Sequence, residues 1–162
     1  MVETLGVTDM LANRYEPKRK YRWIFQIEGI DAYLMKTAAR PHITHEKITI
    51  DYINDKRWLA GKRSFDTVSV TMYDAISPSG AQQLMEWLRL TSEAVSGRDG
   101  YADFYKRNIQ MKLLDPMGNV VELWDGRGAW VEDANFNDLD YSSSDAQDIA
   151  LVIQADKWIL QY

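Results

Sequence analysis

Apolar side chains recur at every second position in segment after segment of this chain, and only one stretch carries a helical spacing. Period-two alternation is the mark of an extended strand with one face buried. Val68, Val70 and Met72 alternate with Thr67, Ser69 and Thr71, the clearest case. Tyr21, Trp23, Phe25 and Ile27 alternate with Arg22 and Gln26, and Ile24 breaks the pattern, as in a strand partly covered on both faces. Ile48, Ile50 and Tyr52 alternate with Thr49 and Asp51; a turn at Asn54-Asp55 leads into Lys56 to Ala60, where Gly61 is expected to interrupt. Ile109, Met111 and Leu113 form another strand, closed by the turn Asp115-Pro116-Met117-Gly118-Asn119, and Val121 and Leu123 open its return. Ala32 to Ala38, Ala129 to Val131 and Ile149 to Leu160 supply the remaining strands.

The helical stretch lies between Ser77 and Gly97. Ser79 with Gln82 three residues on resembles a capping box, and Pro78 suits a helix start. Ala81, Leu84, Leu88, Thr91 and Val95 form an apolar stripe, widened by Met85 and Trp87, that reads as core. Many short strands with a single helix over about residues 79–96 predict a mainly β fold, a sandwich or barrel with one flanking helix.

A length of 162 residues suits one domain with an appended arm. Residues 1–20 read as the arm: Met1 to Pro17 has no sustained period and leads into Lys18-Arg19-Lys20. Residues 21–162 read as the domain. With no cysteine, the chain has no disulfide framework, thiolate metal site or cysteine nucleophile. No apolar run is long enough for a membrane helix, and the first residues lack the basic start and apolar stretch of a signal peptide. These features predict a soluble protein made inside a cell.

The net charge of −5 hides an asymmetry. Met1 to Arg63 carries 12 Lys/Arg against 8 Asp/Glu, and Ser64 to Tyr162 carries 7 against 16. Acid is densest from Asp115 to Asp148, where nine acids stand with one basic residue, Arg127. Two solvated surfaces would account for this. So would complementary faces on neighbouring subunits, which steer association and fix register.

The last strand changes parity. Ile149, Leu151, Ile153 and Ala155 are odd; after Asp156 the apolar positions become Trp158, Leu160 and Tyr162. Such a switch needs a bulge or burial of both faces. Either the strand is central in its own sheet or it meets another subunit.

No catalytic or ligand-binding constellation emerges. His42 and His45 lie in a segment after Pro41 where their spacing does not converge on a metal. Asp138-x-Asp140-x-Ser142 begins like a calcium loop, but Ser143 and Ile149 stand where glycine and glutamate are required. Gly126-Arg127-Gly128 is too short to cradle phosphate, and Glu132 and Asp133 are adjacent, on opposite strand faces. No enzyme activity and no cofactor are expected. Lys18 to Arg22, with Tyr21 and Trp23 interleaved, could form a nucleic-acid stripe on a small monomeric barrel; a solvated or interfacial face is the simpler reading.

Lys47 to Met72 reads K-I-T-I-D-Y-I-N-D-K-R-W-L-A-G-K-R-S-F-D-T-V-S-V-T-M. It resembles the central signature of the tail tube proteins of T-even-type contractile-tailed bacteriophages, within the superfamily that includes type VI secretion tubes. Lys47, Ile48, Ile50, Tyr52, Ile53, Asn54, Lys56, Ala60, Gly61, Arg63, Ser64, Phe65, Asp66, Val70 and Thr71 carry the resemblance, without a gap. The helix containing Trp87 and the ending, Leu139 to Ser142 followed by Ile149 to Trp158, are similar to the family's as well. The first 20 residues depart from it.

The resemblance implies a structural subunit. Hexameric rings would stack into a hollow tube inside a sheath, in a virion tail put together in the host cytoplasm. The subunit would meet itself, sheath, baseplate and tape-measure proteins, with DNA only as passing cargo and no membrane. A tube-initiating baseplate protein and an injection-system tube are the alternatives. On this reading Lys47 to Ala60 is a long hairpin loop reaching a neighbouring subunit, and Gly61, Arg63, Phe65 and Asp66 shape its return. The expected contact residues are Lys47, Ile48, Ile50, Tyr52, Ile53, Asn54, Lys56, Trp58, Ala60, Gly61, Arg63, Phe65 and Asp66, together with Trp158 and Leu160 at the C-terminal end. The arm would bridge stacked rings. Acidic residues would line the lumen, because lysine- or arginine-lined walls would hold DNA phosphates.

Overall fold

The computed structural model describes Gly6 and residues 16–162. The sequence-based expectation for the arm up to Tyr15 otherwise lies outside the described residues. The strands are β1 (Trp23–Ile27), β2 (Met35–Ala38), β3 (Ile43–Asp51), β4 (Lys56–Phe65), β5 (Val68–Tyr73), β6 (Arg107–Leu114), β7 (Val120–Asn135), β8 (Asp148–Gln154) and β9 (Lys157–Leu160). Helix α1 spans Gly80–Thr91 and a single turn, α2, spans Ala102–Tyr105.

Alternation places the buried faces as expected. Val68, Val70 and Met72 in β5 and Ile109, Met111 and Leu113 in β6 are buried, with Phe25 and Ile27 in β1. The strands pair in the antiparallel order β1-β6-β7-β8-β5-β2, and β9 pairs with β7. The path ends at β1 and β2, which are not paired with each other among the described residues.

One long strand joins the two halves of this sheet. β7 pairs with β6 and β9 over its first part, then with β8 from Trp130 to Asn135. Side chains of both halves fill one core, capped by Leu84 and Trp87 of α1. The architecture is mainly β with one flanking helix, a sheet curled over itself.

The corner of this fold explains the parity switch in the last strand. Ile149, Leu151, Ile153 and Ala155 are buried up to Asp156, and Trp158 is buried beyond it. β7 switches at the same level: Glu122 and Gly126 are buried before Arg127, Ala129 and Val131 after it. The pairing keeps step through the corner, from Arg127 opposite Lys157 to Trp130 opposite Gln154. The two strands therefore turn together at the corner, and the register shift between β7 and β8 comes only beyond it, between Val131 and Asp133. Gly128 (φ +65°) makes the turn, and Asp156 lies against it.

Three local expectations are corrected. The segment Ala32 to Ala38 is not one strand: a 3-10 turn occupies Ala32–Leu34 before β2 starts. α1 ends at Thr91, short of residue 96, because Ser92 is extended and pairs with Asp99, while the Gly97 amide bonds to the Glu93 carbonyl at 2.8 Å. Val95, the last member of the predicted stripe, is left exposed. Gly61 does not end its strand; β4 runs through it, and what breaks there is only the register with β3, at Gly61 and Lys62.

Candidate assembly interface

β3 and β4 form a two-stranded sheet of their own that pairs with no other strand among the described residues. The pattern Ile48, Ile50 and Tyr52 did predict an extended segment, but the strand begins earlier, at Ile43, and its partner continues to Phe65. The turn lies where Asn54-Asp55 placed it, closed by the Tyr52 amide on the Asp55 carbonyl at 2.8 Å.

A bulge in β4, opposite Glu46, decides which side chains share a face. His45 pairs with Arg63 and Lys47 with Ala60, so between them β4 carries one residue more than β3, with Gly61 and Lys62 opposite Glu46. The extra residue reverses the parity of β4, so Phe65 and Arg63 share a face with Ala60, Trp58, Lys47 and Ile43, while Leu59 shares the opposite face with Ile48 and Ile50. Ile48, Ile50 and Leu59 are exposed there, as is Tyr52 at the turn, and Ile53 at the tip is 99% exposed. Ile43, Lys47, Thr49, Asp51, Lys56, Trp58, Ala60 and Phe65 occupy the other face. The Lys47 ammonium stands 5.6 Å from the centre of the Trp58 ring, and Lys56 reaches Asp51 at 3.8 Å. Such contacts between exposed groups stiffen the hairpin by only a few tenths of a kcal/mol.

The root of the hairpin is fixed to the barrel. Phe65 packs on the core, and its carbonyl accepts from Gln154 Nε2 at 3.0 Å. The Asp66 amide donates to the His42 carbonyl at 3.0 Å, while the His42 ring is hydrogen-bonded to the Asp66 carboxylate. Arg63 lies over the Phe65 ring at 5.1 Å. The motif residues thus divide by place: Arg63, Phe65 and Asp66 at the root, Lys47 to Gly61 on the projecting part. Among the described residues, His42 and His45 belong to no cluster of three or more metal-ligating side chains.

The C-terminal contact residues separate. Trp158 is 4% exposed and packs across Gly126 within its own core, so it is not available to a neighbour. It reads as apolar surplus only when the corner is not foreseen. Leu160 is exposed.

A second feature escaped the sequence pattern. Val121 and Leu123 suggest the inward face of β7, yet Glu122 is the buried residue and Val121 is exposed. The Glu122 carboxylate accepts from Lys18, Arg40 and the Trp124 indole. Burial pushes this carboxyl up, but the Lys18, Trp124 and Arg40 donors together outweigh it and hold it below the usual carboxylate range. The group ties the end of the arm and the segment between β2 and β3 to β7. Only the basic cluster Lys18-Arg19-Lys20 hinted that an acid partner was needed.

No family model matches the chain. It is 26% identical over 87 residues to the tail tube protein of Serratia phage KSP90, an alignment covering 53% of this chain and 49% of that protein. The chain thus spans about half the length of that curated relative. Among solved structures, the tube-terminating cap of the anti-feeding prophage superposes with a TM-score of 0.74 at 18% identity, covering 96% of this chain and 97% of the other. A chain of the sheath–tube complex of the PVC extracellular contractile injection system gives 0.71 at 16% identity, covering 98% and 99%. Hcp1 from Flavobacterium johnsoniae gives 0.56 at 13% identity, covering 87% and 95%. The fold that carries the projecting hairpin is similar to that of these cap and sheath–tube chains.

Proposed function

We propose that this chain is the structural subunit of the inner tube of a contractile tail, closing into hexameric rings that stack into a hollow conduit for DNA. One observation carries the reading. A hairpin that is anchored at its root and pairs with no other strand among the described residues holds Ile48, Ile50 and Leu59 on one exposed face, on a fold shared with tube proteins. Covering each such side chain against a neighbour would gain about 1–2 kcal/mol, more than a polar surface contact returns. The unpaired outer edges of β1 and β2 would find partners on ring closure. The tail sheath and baseplate are the expected outer partners, a tape-measure protein the occupant before DNA, and a virion tail the location. Acidic residues of the second half would face the lumen.

The fold of the anti-feeding prophage cap favours a second reading, a tube terminator. Such a protein would form rings that do not elongate.

Sedimentation of the full chain and of an Ile48→Ser/Ile50→Ser variant tests the ring. The wild type should sediment as a hexamer or larger, and the variant as a folded monomer. A variant that assembles like the wild type would refute the role given to the hairpin.

A further inference from the structure

Two surface features lie at opposite ends of β2 and match in chemistry. Beyond its last residue, Arg40 reaches the Glu122 site beside a groove of about 370 Å³. Trp23, Met111 and Leu113 form the apolar floor of this groove, and Arg19, Lys20 and Arg40 stand around it. No acid pairs with Lys20 among the described residues. Near the start of β2, Lys36 reaches Asp148 at 2.9 Å, where the loop between β7 and β8 ends. That loop presents Leu139 and Tyr141 fully to solvent, flanked by Asp138, Asp140 and Asp145.

The loop is built to hold this shape. Asn137 donates through Nδ2 to the Asp148 carbonyl at 3.0 Å, Gln147 Nε2 donates to the Phe136 carbonyl at 2.9 Å, and Asp140 accepts from the Ser142 amide at 2.9 Å. Two exposed apolar side chains ringed by acid complement an apolar floor ringed by base. Because β2 separates the two, the pairing joins one molecule to the next. A contact between different patches, repeated with the same step, propagates a stack.

We infer that the β7–β8 loop of one copy seats Leu139 and Tyr141 in the basic-rimmed groove of a second copy, as a contact between successive rings. This rests on the reading of the chain as a tube subunit. The contact weakens with salt, since charges on both sides are partly exposed.

The chain has no cysteine, so introduced thiols report one pair at a time. Lys20→Cys and Leu139→Cys variants of the full chain, mixed and oxidised after assembly, should give a disulfide-linked dimer that neither gives alone. Lys20→Glu and Asp138→Lys, each alone, should raise the concentration needed for tubes by roughly tenfold, and the two together should restore it. Tubes without the cross-link, or single reversals that stack normally, would overturn the contact and leave the tube reading intact. A cross-link that appears only after residues 1–15 are removed would show the chain's own first residues in the groove, and also overturn it. If the wild type forms neither rings nor tubes, the tube reading fails as well.

Discussion

Asp156 lies against Gly128 at the corner of the sheet: a Cβ on Gly128 would come within 2.2 Å of Asp156 Oδ2. The Lys106 ammonium holds that carboxylate at 2.8 Å. The corner turns β7 and its partner strand together and so aligns both halves of the core.

Gly128→Ala meets two penalties, the positive φ and the Asp156 carboxylate. We expect a loss of about 2–3 kcal/mol, or a fall in Tm of roughly 5–10 °C, read by thermal denaturation. Asp156→Ala removes the clash but not the backbone strain. The double variant should therefore lose less than the sum of the singles.

Glu122 gives a pH dependence with a definite sign. Its folded pKa is lowered, so its contribution to stability is present above the ordinary glutamate pKa and is lost as pH falls through the lower, folded value. Glu122→Gln should cost about 2 kcal/mol at pH 7 and progressively less as pH falls below the ordinary glutamate range towards the lower, folded pKa. Urea denaturation of both proteins from pH 7 to pH 3 checks this; a constant difference across the range would contradict it.

Trp87 is fully buried, donates through Nε1 to the Tyr105 carbonyl at 2.6 Å, and lies under the Arg107 guanidinium at 4.9 Å. Trp87→Phe leaves that carbonyl unpaired and part of the site empty. We expect a loss of about 2–3 kcal/mol, seen in the denaturation midpoint. α2 follows directly from this bond, so proteolysis near Ala102–Tyr105 should become faster.

Much of this architecture is legible in the sequence because alternation is a local signal. β5, β6 and the hairpin turn at Tyr52 to Asp55 were readable from their own residues. Three features were not. The bulge at Gly61 and Lys62, opposite Glu46, is set by the register between two strands and not by the alternation within either one. Glu122 reads as a solvent-facing acid until Lys18 and Arg40, 104 and 82 residues away, are brought to it. Trp158 looked like a surplus apolar surface because its parity is set by a corner shared with β7, not by its own strand. Helix α1 was overextended for a similar reason: Val95 fits the stripe by spacing, but Ser92 pairs with Asp99 instead.

The central claim is that the chain assembles with itself through the projecting hairpin into a tube. Negative-stain electron microscopy of the purified full chain tests it most directly. The account predicts hollow rings of uniform diameter and, at higher concentration, stacked tubes, both lost in Ile48→Ser/Ile50→Ser. A protein that stays monomeric at every concentration, with a fold intact by circular dichroism, would contradict it.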